Sequence, residues 1–274
     1  MAKIRLGLIG DNIAASRAPD LHHAAARLCG IDVNYERLVP RDLGLSFDAV
    51  VDRARGDGLR GLNITYPYKE RILPRVTIED AAVTAIGACN TILFGEPTMG
   101  MNTDYTGFIA AYRERFGETS PGVVAIAGCG GAGKAVGFAL ASLGATSIRL
   151  FDADHAKARG LQIALADFGD GANAVVAAPS LAEACDRATG LINCTPLGMV
   201  GHGGNAFAGI PMMGRAWIFD AVYTPLETPF LKEGEAAGVE TLSGYELFLY
   251  QGIHAFKLFT GHDVDAGSLR RALA

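Results

Sequence analysis

The chain has 274 residues, of which 50% are hydrophobic and 19% are charged, so it suits one large or two medium globular domains and not a disordered protein. Its 24 Lys and Arg against 29 Asp and Glu give a net charge of −5 without a basic block, which argues against a nucleic-acid partner. No apolar stretch approaches the ~20 residues that a membrane span requires, so we expect no membrane partner.

The first part of the chain alternates short apolar runs with helical patterns. Strands are predicted over Ile4–Ile9, Asn34–Val39, Leu59–Ile64 and Ala88–Phe94. Helices are predicted over Pro19–Arg27, Leu45–Arg55, Thr77–Ala85 and Tyr105–Phe116. Such alternation indicates parallel sheets with helices on both faces.

A second alternating series follows a predicted linker over Glu118–Pro121. Its strands are predicted over Val123–Ala127, Ser147–Phe151, Ala174–Ala178, Gly190–Asn193 and Ala216–Phe219, with helices from Gly131, from His155 and, at the end of the chain, from Ser243. We therefore predict an α/β protein of two domains, with natural cuts near residues 108 and 244. Ligand clefts commonly lie between domains, so the active site is expected there.

A glycine-rich turn joins the first strand of the second series to its helix. The small residues of this turn are predicted cofactor ligands: Gly128, Gly130, Gly131, Ala132 and Gly133. They match the spacing G-x-G-x-x-G, in which glycines let the backbone approach a pyrophosphate at the positive end of a helix. Asp152 ends the next strand 24 residues past Gly128, near the spacing of a ribose-binding carboxylate. The sequence therefore predicts a dinucleotide site.

Asp152 also bears on which dinucleotide binds. A carboxylate accepts hydrogen bonds from both ribose hydroxyls and repels a 2′-phosphate, for which an arginine is usual. Arg149 and Lys157 are near in sequence, but no arginine is adjacent to Asp152. We expect NAD, with NADP as the less favoured cofactor. Asp152 could instead cap the helix from His155, although Asp154 fits that position better.

Several segments carry a resemblance that runs almost end to end. The most specific are a lysine loop, Gly61-Leu-Asn-Ile-Thr-Tyr-Pro-Tyr-Lys69, and the tripeptide Asn102-Thr-Asp104. Others are Gly7–Gly10 with Ser16, Ile86–Thr91, the glycine turn, Asn193–Met199, Asp220–Pro225 and Gln251. In these segments the sequence resembles the shikimate/quinate dehydrogenase family.

The resemblance implies a two-domain enzyme that oxidises the ring hydroxyl of a cyclohexene or cyclohexane carboxylic acid. An α/β substrate lobe would comprise residues 1–107, to which the C-terminal helices of 245–274 return. A Rossmann-type, doubly wound parallel sheet would occupy 108–244 and bind the dinucleotide. Lys69 resembles the family's catalytic lysine and Asp104 its partner carboxylate. Such a pair titrates as a unit, so the proton is not assigned to one member.

The resemblance also assigns binding residues. Predicted substrate ligands are Ser16, Asn63, Thr65, Asn90, Tyr223 and Gln251. Further predicted cofactor-binding residues are Asn193, Thr195, Met199 and Gly244. Core packing remains the alternative for Tyr223 and Met199, and loop capping for Asn193 and Thr195.

The sequence departs from the family at the loop that binds the substrate carboxylate. The family carries hydroxyl residues at two positions, whereas this loop reads Ser16-Arg-Ala18-Pro19. Ala18 cannot donate a hydrogen bond, and loss of a hydroxyl–carboxylate bond costs roughly 1.5–3 kcal/mol. Either the substrate binds more weakly, or it differs at that end as another cyclic polyol or an aminated analogue would, or Arg17 compensates.

A catalytically silent NAD-binding regulator is the remaining alternative, although the retained Lys69 and Asp104 argue against it. The five cysteines are scattered, which favours reduced thiols and a cytoplasmic protein, and the short apolar run before Asp11 does not suit a signal peptide. Neither Cys nor His has zinc spacing, so we predict no metal. A small-molecule substrate and a monomer or homodimer are expected.

Overall fold

A computed structural model of the chain describes residues 3–168 and 174–274. It consists of two compact units, one of Met1–Thr103 with Leu249–Ala274 and the other of Asp104–Phe248. Each of the two boundaries between the units lies four residues from the domain boundary expected from the sequence. Asp104 therefore falls in the second unit, whereas the sequence grouped it with the first.

The strands of both units are short and mostly buried. They are β1 (Ile4–Ile9), β2 (Val33–Leu38), β3 (Gly61–Ile64), β4 (Thr91–Leu93), β5 (Met99–Met101), β6 (Val123–Ala127), β7 (Ser147–Phe151), β8 (Ala174–Ala177), β9 (Gly190–Asn193), β10 (Trp217–Asp220) and β11 (Glu240–Ser243). The short hairpin strand β5 and the polar strand β11 were not predicted, because neither has an extended apolar run.

The helices follow the strands in alternation. They are α1 (Ala18–Cys29), α2 (Pro40–Leu43), α3 (Phe47–Gly56), α4 (Ala81–Ile86), α5 (Thr103–Phe116), α6 (Gly131–Ser142), α7 (His155–Ala166), α8 (Leu181–Cys185), α9 (Pro229–Ala236), α10 (Gly244–Thr260) and α11 (Ala266–Leu273). Helices α2, α8 and α9 were not predicted. Among the described residues, no helix is long and apolar enough to cross a membrane.

Helix α4 begins later than the predicted helix over Thr77–Ala85. The Asp80 carboxylate accepts hydrogen bonds from the amides of Ala82 and Val83, so it caps the helix and fixes its first turn. Thr77 instead pairs with Met99 as an isolated bridge beside β5. The start of the predicted helix is therefore wrong, and the competing sheet contact explains why.

The first unit contains a mixed sheet in the order β2-β1-β3-β4-β5 among its described residues. Strand β1 runs parallel to β2 and β3, whereas β4 is antiparallel to β3 and β5. The expectation of a parallel sheet is wrong for β4 and β5. Their connection over residues 94–98 is too short for the crossover that parallel strands need.

The second unit contains a parallel sheet in the order β11-β10-β9-β6-β7-β8. Counted from β6, this is the doubly wound order of a Rossmann domain, so the predicted α/β fold class is confirmed. The order reverses between β6 and β9, where Ala127 pairs with Asn193. Ligands of such sheets bind outside the carboxyl ends of the strands at this reversal.

Candidate active site

The glycine turn begins at the reversal point of the second sheet. Gly128 has a φ of 94°, and a Cβ there would lie 2.7 Å from the Cys194 carbonyl carbon. A Cβ on Gly133 would lie 2.0 Å from the Gly128 oxygen. A Cβ on Gly130 would meet no atom within 4 Å. The first and third glycines thus pack strand, turn and helix closely, while the second faces open space that a pyrophosphate could approach.

Asp152 is held at the end of β7 by two backbone amides. Its Oδ2 accepts a hydrogen bond from the Cys129 amide at 2.7 Å, and its Oδ1 accepts one from the Asp154 amide at 2.9 Å. A carboxylate has about four acceptor positions, so each oxygen retains capacity for a ribose hydroxyl. Asp154 caps α7 by accepting from the Ala156 amide, as the sequence predicted.

Asn193 and Thr195 organise the loop after β9. The Asn193 side chain is fully buried, and its Nδ2 donates to the Leu197 oxygen at 3.0 Å and to Asp220 Oδ1 at 2.9 Å. Its Oδ1 accepts from the amide and the hydroxyl of Thr195, at 2.9 and 2.7 Å. The side chain therefore shapes the loop. Met199 follows in this loop and exposes 37% of its surface.

Asp220 is a buried acid at the end of β10 that pattern reasoning had not singled out. Its Oδ2 accepts from the Thr228 hydroxyl at 2.6 Å, and its Oδ1 accepts from the Val222 amide at 3.0 Å as well as from Asn193. Burial raises the pKa of this carboxyl group, although these hydrogen bonds oppose the shift. Asp220 thereby links the loops after β9 and β10.

Tyr223 and Gly244 lie further along the same region of the second unit. The Tyr223 ring stacks on Phe248, with centroids 5.0 Å apart and planes 16° apart. A Cβ on Gly244 would lie 2.4 Å from the Ala221 oxygen, so only glycine allows α10 to begin against the end of β10. Gly244 is therefore required by close backbone packing.

Cys129, within the glycine turn, and Cys194, which packs against Gly128, are poor nucleophiles. Burial, followed by the Asp152 charge, raises the pKa of the Cys129 thiol to about 12. Burial also raises the pKa of Cys194 well above its usual value, with smaller contributions from Cys129 and Asp220. Because the thiolate is the reactive form, neither residue suits covalent catalysis.

The lysine loop of the first unit is fixed through its backbone. The Thr65 amide donates to the Ile9 oxygen at 2.9 Å, and the Lys69 oxygen accepts from the Cys89 amide at 2.8 Å. The Tyr68 hydroxyl donates to Asp11 Oδ1 at 2.6 Å, which anchors the loop to the end of β1. The backbone of Lys69 is thus held next to the residue that precedes Asn90.

Asn90 has a fixed orientation. Its Oδ1 accepts from the Thr103 amide at 2.7 Å and from the Thr91 hydroxyl at 3.0 Å. Since a backbone amide can only donate, the oxygen faces Thr103 and Nδ2 faces away. Within the described part of the chain, Nδ2 donates no hydrogen bond, although the residue is only 3% exposed. It remains available to an oxygen of a ligand.

Asn63 connects this region to β2. Its Oδ1 accepts from the buried Tyr35 hydroxyl at 2.8 Å, and its Nδ2 donates to Thr91 Oγ1 at 3.0 Å. The Thr91 hydroxyl also lies 3.1 Å from that of Thr103. These contacts form a buried chain of hydrogen bonds that ends at Thr103, which directly precedes Asp104.

The loop that contains Ser16 leads into α1. Ser16 Oγ accepts from the Ala18 amide at 3.2 Å. The guanidinium group of Arg17 donates to the Leu273 oxygen at 2.7 Å. Arg17 therefore ties α1 to the end of α11, an engagement that the sequence did not predict.

Each unit gathers its own share of the predicted residues. The first unit contains Ser16, Asn63, Thr65, Lys69, Asn90 and Gln251. The second contains Asp104, Tyr223, Gly128, Gly130, Gly131, Ala132, Gly133, Asp152, Asn193, Thr195, Met199 and Gly244. The first unit therefore contains most of the predicted substrate ligands, and the second contains the predicted cofactor ligands on a Rossmann-type sheet.

Comparison with known proteins identifies the family. A profile described as the shikimate dehydrogenase substrate binding domain matches residues 8–92, and one described as the shikimate 5'-dehydrogenase C-terminal domain matches residues 244–274. A quinate/shikimate dehydrogenase (NAD(+)) of Corynebacterium efficiens is 38% identical, over 97% of this chain and 96% of its own length. The chain is a member of the shikimate dehydrogenase family.

Relatives in the shikimate dehydrogenase family use either nicotinamide cofactor. The structure of quinate dehydrogenase from Corynebacterium glutamicum in complex with NAD has a TM-score of 0.90 and 34% identity, and the match covers 99% of each chain. A shikimate dehydrogenase (NADP(+)) of Streptomyces avermitilis is 37% identical, over 95% of this chain and 91% of its own length. The chain is accordingly an NAD(P)-dependent oxidoreductase that acts on a small molecule.

Proposed function

We propose that this chain reversibly oxidises the ring hydroxyl of shikimate, quinate or a close hydroxylated ring acid, with NAD as the preferred cofactor. One observation carries the proposal. Backbone and side-chain hydrogen bonds hold Lys69 next to Cys89, and Asn90 next to Thr103. The lysine loop, the segment around Asn90 and Thr103 therefore meet in the first unit, and Asp104 directly follows Thr103 in the chain.

In this proposal Lys69 and Asp104 transfer the hydroxyl proton. The glycine turn and Asp152 would hold a dinucleotide, which would supply the hydride acceptor for the ring carbon. Lys69 takes the proton from the hydroxyl oxygen, and in the reverse direction its cation stabilises negative charge on that oxygen. Asp104 orients the lysine and shares its proton, so the two groups act as a coupled pair.

The amides and hydroxyls of the first unit would bind the remaining ring oxygens. The Nδ2 of Asn90 is free to donate among the described residues, whereas the Nδ2 of Asn63 already donates to Thr91 Oγ1 and to the Asn90 carbonyl oxygen, so Asn63 would offer mainly its remaining acceptor position. Ser16, Thr65 and Gln251 extend this set within the same unit. Such groups suit a polyol because each can adjust to donor or acceptor.

Asp152 supports NAD over NADP. The glycine turn offers space for a pyrophosphate at Gly130, and the carboxylate at the end of β7 has acceptor capacity for ribose hydroxyls. A 2′-phosphate placed there would meet a negative charge. We therefore assign the second unit to the dinucleotide and the first to the ring acid.

Steady-state kinetics with shikimate and quinate, each with NAD and NADP, tests the proposal. Replacement of Lys69 by Ala is expected to lower kcat by roughly 10²–10⁴, the usual share of general acid–base catalysis. Lys257→Ala is the matched control, because this exposed lysine pairs with Asp263. Equal kcat in the Lys69→Ala variant and the wild type would contradict the assigned role.

A second candidate is a dehydrogenase whose substrate lacks the carboxylate. The observation in its favour is Ala18, which offers no hydroxyl where the family carries one. Neutral cyclic polyols would then be oxidised with kcat/KM at least equal to that of the ring acids. Ala18→Ser would leave their KM unchanged, whereas it would lower the KM for shikimate if shikimate is the substrate.

A further inference from the structure

We propose that Arg37 binds the carboxylate of the ring acid and supplies the interaction that Ala18 cannot make. This inference rests on the proposed function and names a specificity-determining residue for it. No sequence pattern selects Arg37, which lies 21 residues beyond Ser16 and outside every segment of the family resemblance.

Arg37 contacts the loop in which the hydroxyl is missing. Its Nη2 donates to the Ser16 carbonyl oxygen at 2.7 Å. The Ser16 hydroxyl belongs to the same residue and accepts from the Ala18 amide. The guanidinium group therefore contacts the backbone of the residue that carries the one hydroxyl of this loop.

The sheet of the first unit directs Arg37 toward the other predicted substrate ligands. Residues 35 and 37 of β2 lie on the same face, because side chains alternate along a strand. Tyr35 is buried there and donates to Asn63, whereas Arg37 is exposed at the carboxyl end of β2. Strands β2, β1 and β3 are parallel, so the loops with Ser16 and Thr65 emerge at this same edge.

The charge of Arg37 has no counter-ion among the described residues. Its neighbour Glu36 pairs with Arg5 at 3.0 Å, and in the described part of the chain the Arg37 side chain donates its hydrogen bond to Ser16 and forms no ion pair. Burial raises the pKa of the Tyr35 hydroxyl, and the Arg37 charge opposes that shift. The positive charge of Arg37 therefore acts on the Tyr35 hydroxyl, which donates to Asn63.

The chemistry of the group fits a carboxylate. A guanidinium carries five N–H donors in a planar fork, and one contact to Ser16 leaves enough donors for a bidentate carboxylate. Arg17, the other cation of this region, is engaged with the Leu273 oxygen at the end of α11. Arg37 is thus the better placed cation for the substrate anion.

Kinetics with Arg37→Gln on two substrates test the inference. Loss of a hydrogen-bonded charge pair should raise the KM for shikimate about 10- to 100-fold and change kcat less than about 3-fold. The methyl ester of shikimate has the same ring without the negative charge, so its KM should change less than about 3-fold. Arg37→Lys should recover part of the loss, since it restores the charge but not the fork.

Two further variants make the result specific. Arg27→Gln removes the same charge from the exposed last turn of α1 and should leave both KM values within about 3-fold of the wild type. Ala18→Ser in the Arg37→Gln background should lower the KM for shikimate again, because it restores the missing donor to the same subsite. Circular dichroism checks that each variant is folded.

The role of Arg37 would be overturned if Arg37→Gln left the KM for shikimate unchanged, or if it raised the KM equally for the acid and the ester. Turnover of shikimate by the wild-type enzyme would in that case still support the proposed function. A wild-type enzyme that oxidises neither ring acid with either cofactor would instead refute the proposed function. In that case calorimetric titration measures the dissociation constant of shikimate directly. Weaker binding by Arg37→Gln would support the role of Arg37, and equal binding by the wild type and Arg37→Gln would overturn it.

Discussion

The buried histidine of α1 should make the first unit sensitive to mild acid. His22 is 1% exposed, stacks on Tyr35 with centroids 4.4 Å apart and lies against Phe256 and Phe259 of α10. Its Nδ1 has no hydrogen-bond partner among the described residues. Burial lowers its pKa from 6.5 to about 3; the Asn63 side chain opposes this shift, and the charge of His23 adds to it.

The expected magnitude follows from proton linkage. Between pH 6.5 and pH 3 the unfolded chain binds a proton at residue 22 and the folded chain does not, so the free energy of unfolding falls as the pH falls. The contribution of His22 to the free energy of unfolding is fully present above pH 6.5 and decreases by about 1.4 kcal/mol per pH unit below it. Between pH 7 and pH 5 it amounts to about 2 kcal/mol.

Replacement of His22 by Leu should remove this part of the pH dependence. Urea unfolding at pH 7 and pH 5, followed by far-UV circular dichroism, measures it; Trp217 fluorescence is unsuitable because that residue lies in the second unit. Leu21→Val is the control, since it changes a neighbouring buried residue without a titrating group and should lower stability equally at both pH values. A difference between pH 7 and pH 5 that is the same in His22→Leu and in the wild type would refute the reasoning.

The dinucleotide site gives two further predictions. Asp152→Asn should raise the ratio of kcat/KM with NADP to kcat/KM with NAD at least about tenfold, because it removes the negative charge that repels a 2′-phosphate; an unchanged ratio would contradict the assignment of NAD preference. Gly133→Ala should weaken NAD binding at least about tenfold in a fluorescence titration, because its Cβ would meet the Gly128 oxygen at 2.0 Å. Gly137→Ala is its control, since the nearest atom to that Cβ, at 3.4 Å, is the end of a Leu165 side chain, and equal binding by both variants would disprove the packing argument.

Patterns within one stretch of chain predicted the second unit well. The predicted strands over Val123–Ala127 and Ser147–Phe151 agree with β6 and β7, because the first is a continuous apolar run and the second alternates buried Ile148 and Leu150 with less buried residues. A strand was predicted at β4, but strand β5 and the antiparallel direction of both were missed, because strand direction depends on the length of the connection and β5 depends on contacts such as that of Thr77 with Met99. The periodicity of apolar residues contains no information on strand direction or on contacts between distant residues.

Site residues show a similar division. Motif spacing selected Asn90 and Asn193 alike, yet only the structure distinguishes them, because the Asn193 amide is saturated within its loop whereas Asn90 Nδ2 is not. Asp220 and Arg37 were not selected as site residues, since their surroundings arise from segments distant in sequence. A single sequence gives residue types and spacing, but not which hydrogen bonds are already taken.

The second unit is inserted into the first, and this topology constrains the order in which the nascent protein matures. The chain leaves the first unit after Thr103 and re-enters it at Leu249, within α10. The Cα of Gly252 packs against Leu21, and Arg17 needs the Leu273 oxygen, so the amino-terminal residues lack essential partners until the final segment is synthesised. We expect the dinucleotide unit to fold on the ribosome first, while the amino-terminal segment, already translated, remains incomplete and exposed to proteases and chaperones.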